Sequence, residues 1–399
     1  MPLYRYTAKD ISGKVQKGVL NAADPESLKK GLRETGLYLS SFTEKIDKNQ
    51  GKKLKSSEIS TFCRETSSML AAGVSLVRAM NIITKRDLSP KLRYAFGEIL
   101  SSIKKGIALS DAMELLGKTF PPMLINMVKA GEASGRLDET MEKMADYYEK
   151  DTRLTKSIKS ALTYPIILAV LTVVVAVGLM TFVVPMFADI FEGMELPAIT
   201  RVVMGISNGL TENYIQVIIA VALIFIAIYF IMQVEKVRFA LDKFKLKIPI
   251  IGKLLKIIYT ARFSRTLASL YSSGLSIINA LQISKDTIGN RYLTKQFDDV
   301  IRSVRSGNPL SSSLAEVVGF DKKLSETIAV GEETGQLDSL LVSIADSFDY
   351  ESDMAIKKMM TMIEPIMIII LAFFVVMIML SVLLPIFSMY SQIEQAGSM

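Results

Sequence analysis

Two copies of one acidic pattern are the residues best placed to carry chemistry. The first runs Gly131-Glu132, Gly135, Leu137-Asp138, and the second Gly331-Glu332, Gly335, Leu337-Asp338. Paired carboxylates can do general acid–base work when each is set near a proton-transfer partner. Here the acids fall in separate halves of the chain, and neither has a neighbouring base. A simpler reading is a tight turn between helices: a glycine in a backbone shape other residues resist, a packing leucine, and acids capping helix N-termini. The alternative makes Glu132 and Glu332 part of a partner-binding surface or an interhelical ion pair. Glu364 stands beside Pro365 at the edge of an apolar run, where a carboxylate is favoured by the positive end of a helix.

Other chemistry is excluded by residue type. The chain has no histidine and a single cysteine, Cys63, which removes His-based triads, His-ligated zinc, His-ligated haem and internal disulfides. Gly117-Lys118-Thr119 ends like a phosphate-binding loop. The first glycine of GxxxxGK[ST] would fall on Ala112, no strand precedes it, and the second half has no equivalent. No catalytic, cofactor-binding or metal-binding residue is assigned, no cofactor is expected, and the chain reads as a non-enzyme.

The elements that position these residues are set by a membrane. Half of the 399 residues are apolar. Three runs lack any charge: 29 residues between Lys159 and Asp189, 22 between Glu212 and Glu235, and 29 between Glu364 and Glu394. A helix of about 20 residues spans a bilayer, so each run suffices. Arg153, Lys156 and Lys159 precede the first run, and eight Lys and Arg residues fall in 235–262 after the second. Residues 188–213 carry four acids against Arg201 alone. The positive-inside rule then places the N-terminus in the cytoplasm and the C-terminus outside. The basic stretch 235–262, beside a span, points to lipid headgroups and not to nucleic acid. The N-terminus has no apolar core or cleavage pattern, so no removed signal peptide is expected. The outer two spans hold only Thr172, Thr181 and Ser381 as polar side chains in mid-span, which disfavours a transporter or channel. An intramembrane protease would need histidine or intramembrane aspartates, and the spans hold neither.

The chain also repeats itself. FCRETSSMLAAGVSLVRAM (62–80) aligns with FSRTLASLYSSGLSIINAL (263–281) at an offset of 201, as does IKKGIALSDAM (103–113) with VRSGNPLSSSL (304–314). At an offset of 200, VKAGEASGRLDETMEKMADYY (128–148) matches IAVGEETGQLDSLLVSIADSF (328–348), and VVPMF (183–187) matches LLPIF (383–387). Each unit is a helical module plus the span that follows it. Helix starts at Ser57, Ser75, Ser89-Pro90, Ser110, Pro121-Pro122 and near Arg136 give about six helices per module. Pro165 and Pro365 are expected to kink or restart the last helix where it meets the span. Ahead of the repeat, YRYTAKD and VQKGVLNA read as a hairpin turning at 11–14, followed by a helix from Asp24-Pro25 and a third strand, LYLSSF.

Together these features resemble the inner-membrane platform proteins of type IV pilus and type II secretion machines, often called PilC or GspF. The small N-terminal domain, the doubled GE-x-[ST]-G-x-L module, the three spans and LPAITR (196–201) carry the resemblance across nearly the whole chain. The fold expected is a mainly α membrane protein with two cytoplasmic six-helix bundles, three transmembrane helices and a small N-terminal α+β domain. Its divisions would be an N-terminal domain 1–44, a linker 45–56, a first module 57–163, a span 164–187, an extracytoplasmic loop 188–213, a span 214–234, a second module 235–363, a span 364–388 and an extracytoplasmic tail 389–399. The resemblance implies a multi-pass inner-membrane homo-oligomer with four kinds of partner: the membrane, a hexameric cytoplasmic motor ATPase, pilin or pseudopilin, and other inner-membrane assembly proteins. It implies no nucleic acid. Pilus assembly, type II secretion and a DNA-uptake pseudopilus remain open as the machine served.

Overall fold

The computed structural model describes residues 3–10, 13–21, 25–45, 51–188, 196–249 and 251–397. By compactness the chain divides into two units, Met1–Glu149 and Lys150–Met399.

In the first unit, strands β1 (Leu3–Lys9) and β2 (Val15–Asn21) pair antiparallel. Helix α1 (Pro25–Glu34) leads into β3 (Tyr38–Lys45), which joins the other edge of β1, giving the order β2-β1-β3. Tyr4 and Ala8, on one face of β1 by strand periodicity, are buried with Leu28 and Leu32 of α1 and with Leu37. Residues 11 and 12 of the expected turn lie outside the described residues. The turn's close is visible, where the Lys14 N–H donates to the Asp10 carboxylate (3.1 Å).

The first module follows as α2 (Ser56–Ala71), α3 (Leu76–Thr84), α4 (Pro90–Lys104), α5 (Leu109–Glu114), α6 (Pro122–Ser134) and α7 (Leu137–Gly178). Pro90 and Pro122 each occupy a first helical turn, where the missing N–H costs nothing. The core forms around Phe62, whose ring stacks on Phe96 at 4.8 Å and meets Phe120 at 6.2 Å.

In the second unit α7 runs past Pro165 without interruption. A π-helical turn at Leu179–Val183 and a last helical segment, α8 (Val184–Ala188), complete the first span. Then come α9 (Ala198–Thr211), α10 (Tyr214–Ile231) and α11 (Glu235–Lys245). The second module comprises α12 (Ile251–Tyr271), α13 (Ile277–Thr287), α14 (Arg291–Arg305), α15 (Leu310–Ala315), α16 (Lys322–Thr334) and α17 (Leu337–Gly397). Its core repeats the aromatic cluster: Phe263 meets Phe297 at 4.8 Å and Phe320 at 5.1 Å. Phe62, Phe96 and Phe120 thus recur at the two offsets of the sequence repeat.

Among the described residues, three helices are long and apolar enough to cross a membrane: Leu137–Phe187, Tyr214–Ile231 and Leu337–Phe387. Of the kink or restart expected at Pro165 and Pro365, the restart does not occur, because α7 and α17 continue through Pro165, Pro365 and Pro385. A helix loses one hydrogen bond at each proline, and apolar surroundings that offer no water favour keeping the remaining ladder intact. The segment expected as an extracytoplasmic loop, 188–213, contains α9. Its buried Thr200, Val203 and Ser207 lie on one face, and Val203 packs with Val184 of α8 and Ile378 of α17.

Candidate functional site

The doubled acidic pattern folds into two corners of like geometry. Glu132, near the C-terminal end of α6, accepts hydrogen bonds from the N–H groups of Leu109 (2.6 Å) and Ser110 (3.1 Å) and from the Ser110 hydroxyl (2.5 Å). These N–H groups open α5 and have no partner within their own helix. The carboxylate therefore caps a neighbouring helix and meets the positive end of its dipole. Glu332 does the same for α15, taking Leu310 N–H (2.5 Å), Ser311 N–H (3.1 Å) and the Ser311 hydroxyl (2.5 Å).

The other members of the pattern shape the turn. Gly135 ends α6 in the left-handed region (φ 71°), with its N–H on the Glu132 carbonyl and the Arg136 N–H on the Gly131 carbonyl. This paired closure requires a residue tolerant of positive φ. Gly335 holds the matching position at φ 67°. Gly131 is buried against α7, and a Cβ there would come within 2.6 Å of the Thr140 hydroxyl oxygen. At Gly331 a Cβ would lie 3.1 Å from the Leu337 Cα. Leu137 and Leu337 begin the long helices, and Asp138 and Asp338 sit in their first turns. Each corner thus joins three helices. Glu364 belongs to neither corner: it is exposed on α17, one residue before Pro365.

Gly117-Lys118-Thr119 forms a single 3-10 turn, and the Thr119 hydroxyl is buried, donating to the Leu116 carbonyl (2.9 Å). That geometry lacks the strand-to-helix loop that cradles phosphates. In mid-span, Thr172 and Ser381 donate to carbonyls of their own helices, Leu168 and Ile378.

A second repeated feature was missed in the sequence. Arg64 of α2 bonds to Asp146 (2.5 Å) and Glu149 (3.1 Å) on α7. The hydrogen bond to Asp146 holds the guanidinium above its ordinary pKa. At the repeated position Arg265 of α12 grips Asp349 of α17, its Nε lying 3.1 and 3.0 Å from the two carboxylate oxygens. Arg265 is almost fully buried. Asp346, the counterpart of Asp146, instead accepts from Lys150 of α7 at 2.6 Å. The signal was present in the aligned FCR and FSR tripeptides, but the acids lie more than eighty residues away.

Below these pairs the long helices pack together. Leu154 and Ala161 of α7 are buried with Leu254 and Ile258 of α12 and Ile356 of α17. At about 1.5 Å per residue, each 51-residue run is about 75 Å long, against about 30 Å of bilayer hydrocarbon. More than half of each rod therefore extends beyond the hydrocarbon. Near the other end, the Ser207 hydroxyl of α9 donates to the Met180 carbonyl in the π-helical turn (2.6 Å), adding a partner for a carbonyl where the helical ladder shifts.

Comparison with known proteins agrees with this architecture. A family model described as type II secretion system (T2SS), protein F matches residues 62–185 and again 263–385, and a model for the N-terminal domain of that protein matches 1–42. The type IV pilus assembly protein PilC of Thermus thermophilus is 34% identical, over 97% of this chain and 98% of its own length. PilC of Pseudomonas aeruginosa is 31% identical over 85% of this chain and 91% of its own. The type II secretion system protein F of Xanthomonas campestris is 29% identical over 98% of this chain and all of its own. With both modules, the N-terminal domain and the spans matched in order, the chain belongs to the type II secretion system protein F family, alongside the PilC pilus assembly proteins.

Proposed function

We propose that this chain is the inner-membrane platform of a type IV pilus machine, coupling a hexameric cytoplasmic motor ATPase to the insertion or removal of pilin. The observation that carries this reading is the continuity of the two rods. Each module passes into its span along one unbroken helix, so a torque or tilt applied to the cytoplasmic part would have a continuous path to the bilayer. Hydrolysis would belong to the separate motor and not to this chain. The N-terminus and both modules would face the cytoplasm and the C-terminus the outside, with the protein acting as a homo-oligomer beside other inner-membrane assembly proteins.

The pilus is favoured over secretion because the pilus assembly relatives stand at 29 to 34% identity and the type II secretion relatives at 26 to 29%. A type II secretion or DNA-uptake pseudopilus platform is the second reading, since those secretion relatives match over nearly the full chain. Deleting the gene and counting surface pili by electron microscopy, with an assay of secreted proteins, tests both. Loss of pili restored by a plasmid copy is the expected result. Intact pili with lost secretion transfers the assignment to the secretion machine, and survival of both in a host without a second copy rejects the platform reading.

A further inference from the structure

Helix α11 follows closely on the end of α10 and is oriented against the usual pattern of a surface helix. The side that meets the second module carries Phe239, Asp242 and Lys243. Phe239 meets the Tyr292 ring edge-on at 5.6 Å, and Lys243 lies over the same ring at 5.4 Å. Asp242 accepts the Arg291 N–H (3.2 Å), while the Asn290 side chain donates to the Asp242 carbonyl (3.1 Å). The residues at i, i+3, i+4 and i+7, namely Val237, Ala240, Leu241 and Phe244, lie opposite by helical periodicity, with Ala240 and Phe244 exposed and Val237 and Leu241 half-buried. Phe244 is 61% exposed. A soluble module would bury this face, whereas a helix resting in a bilayer interface turns it to the acyl chains.

The charges agree with that placement. Lys236 flanks the apolar face on one side, and Arg238 and Lys245 on the other. Long basic side chains at such positions reach headgroups while their stems cover apolar surface. The Arg238 guanidinium donates to the Met232 carbonyl just past the end of α10, which holds it beside that helix end. Beside it opens a cavity of about 450 Å³ lined by Arg238, Lys245 and Arg291, with Asp242 and Asp286 as its acids. Lys245 pairs with Asp242 (3.1 Å), which also accepts the Arg291 N–H, so three cations against two acids leave the lining one net positive charge. We propose that α11 is an interfacial helix whose apolar face enters the leaflet, and that the Arg238–Lys245–Arg291 cavity holds the phosphate of an anionic phospholipid. The proposal depends on α10 crossing the membrane and not on which machine the protein serves.

The chain contains no tryptophan, so Phe244→Trp supplies a unique fluorophore on the exposed face. The full-length variant would be placed in nanodiscs of phosphatidylcholine with or without phosphatidylglycerol, some carrying acyl chains brominated near the headgroup. Tyr229→Trp, within α10, reports separately that the span is inserted. The expected result for Phe244→Trp is blue-shifted indole emission, strong bromine quenching and weak iodide quenching. Phosphatidylglycerol co-purifying with the protein should fall severalfold in R238Q/K245Q/R291Q, since each basic residue at a membrane surface is worth about fivefold in partition. Three results would overturn the proposal: emission typical of water with strong iodide quenching; protection from iodide and bromine alike, which would mean a protein covers the face; or bound phosphatidylglycerol unchanged in the triple variant. Circular dichroism of each variant guards against misfolding, and Phe244→Ser, which needs no large side chain, should loosen anionic lipid retention in the same direction.

Discussion

Glu132 and Glu332 each close a gap that no local capping residue fills. Position 108, before α5, is alanine, and position 309, before α15, is proline, so the first N–H groups of both short helices depend on a carboxylate from elsewhere. A charge-assisted bond to buried donors is worth about 1.5–3 kcal/mol. Glu132→Ala is therefore expected to destabilise the first module by about 2 kcal/mol, and Glu132→Gln, which keeps one acceptor oxygen, by less. Thermal unfolding of the detergent-solubilised protein measures this. Unchanged stability with lost pilus assembly would instead assign Glu132 to a partner surface. Cys63 gives a second test at this scale. It is fully buried, and desolvation pushes its thiol far above the ordinary value of about 8.5. Burial of the neutral thiol thus favours folding below that value, and the benefit declines as pH rises towards the folded pKa. Native protein at pH near 8.5 should resist alkylation that goes to completion after unfolding; rapid native labelling would show that the core opens. The turn glycines and the acids were legible from their spacing. The target of the acids was not, because a cap contributed from 22 or 23 residues away leaves no mark on the sequence around it.

At the scale of elements, periodicity and start signals exposed the six helices of each module, and absence of charge exposed the spans. Three features escaped. Helix α9 was hidden because its apolar face meets the span ends and not a soluble core, so its composition reads as neither a span nor a globular helix. Helix α11 was hidden inside a basic stretch whose charge, and not its periodicity, carried the reading. The continuity of α7 and α17 was obscured by Pro165 and Pro365, since a proline marks a lost hydrogen bond but leaves open whether the helix bends or ends. Continuity matters most for function. Lys159 and Ser160 are exposed on α7, between the packed residues Leu154 and Ala161. A Gly-Ser-Gly-Ser insert between them should uncouple the module from its span, because glycine and serine linkers behave as flexible coil. Membrane insertion and the melting of the first module should persist while surface pili disappear. An insert-bearing protein that still assembles pili at the normal level would show that force does not travel along this helix.

For the molecule as a whole, one duplication and one odd span determine the layout. On the proposed topology, two modules that each end in an outward-going span would share a side of the membrane only if a third span returned the chain between them, a part that α10, outside the repeat, would play. The charge distribution points the same way: the stretch 235–262 after α10 is basic, and 188–213 before it is acidic. This layout predicts a labelling pattern that uses the sheltered Cys63 as a silent background. Cysteines introduced at Lys85 and Ser312, both exposed in the modules, should react with a membrane-impermeant maleimide only in inside-out vesicles. A cysteine at Asn208, exposed on α9, should react only in right-side-out vesicles. Labelling of Lys85→Cys and Ser312→Cys from opposite sides would mean that α10 does not cross. The two modules could then not face one motor together, and the rods would have to act from opposite faces of the membrane. Same-side labelling of all three positions would instead leave α9 in the cytoplasm and remove its contact with the outer ends of the two rods, a result at odds with the Val184–Val203–Ile378 cluster and with the Ser207 bond to Met180.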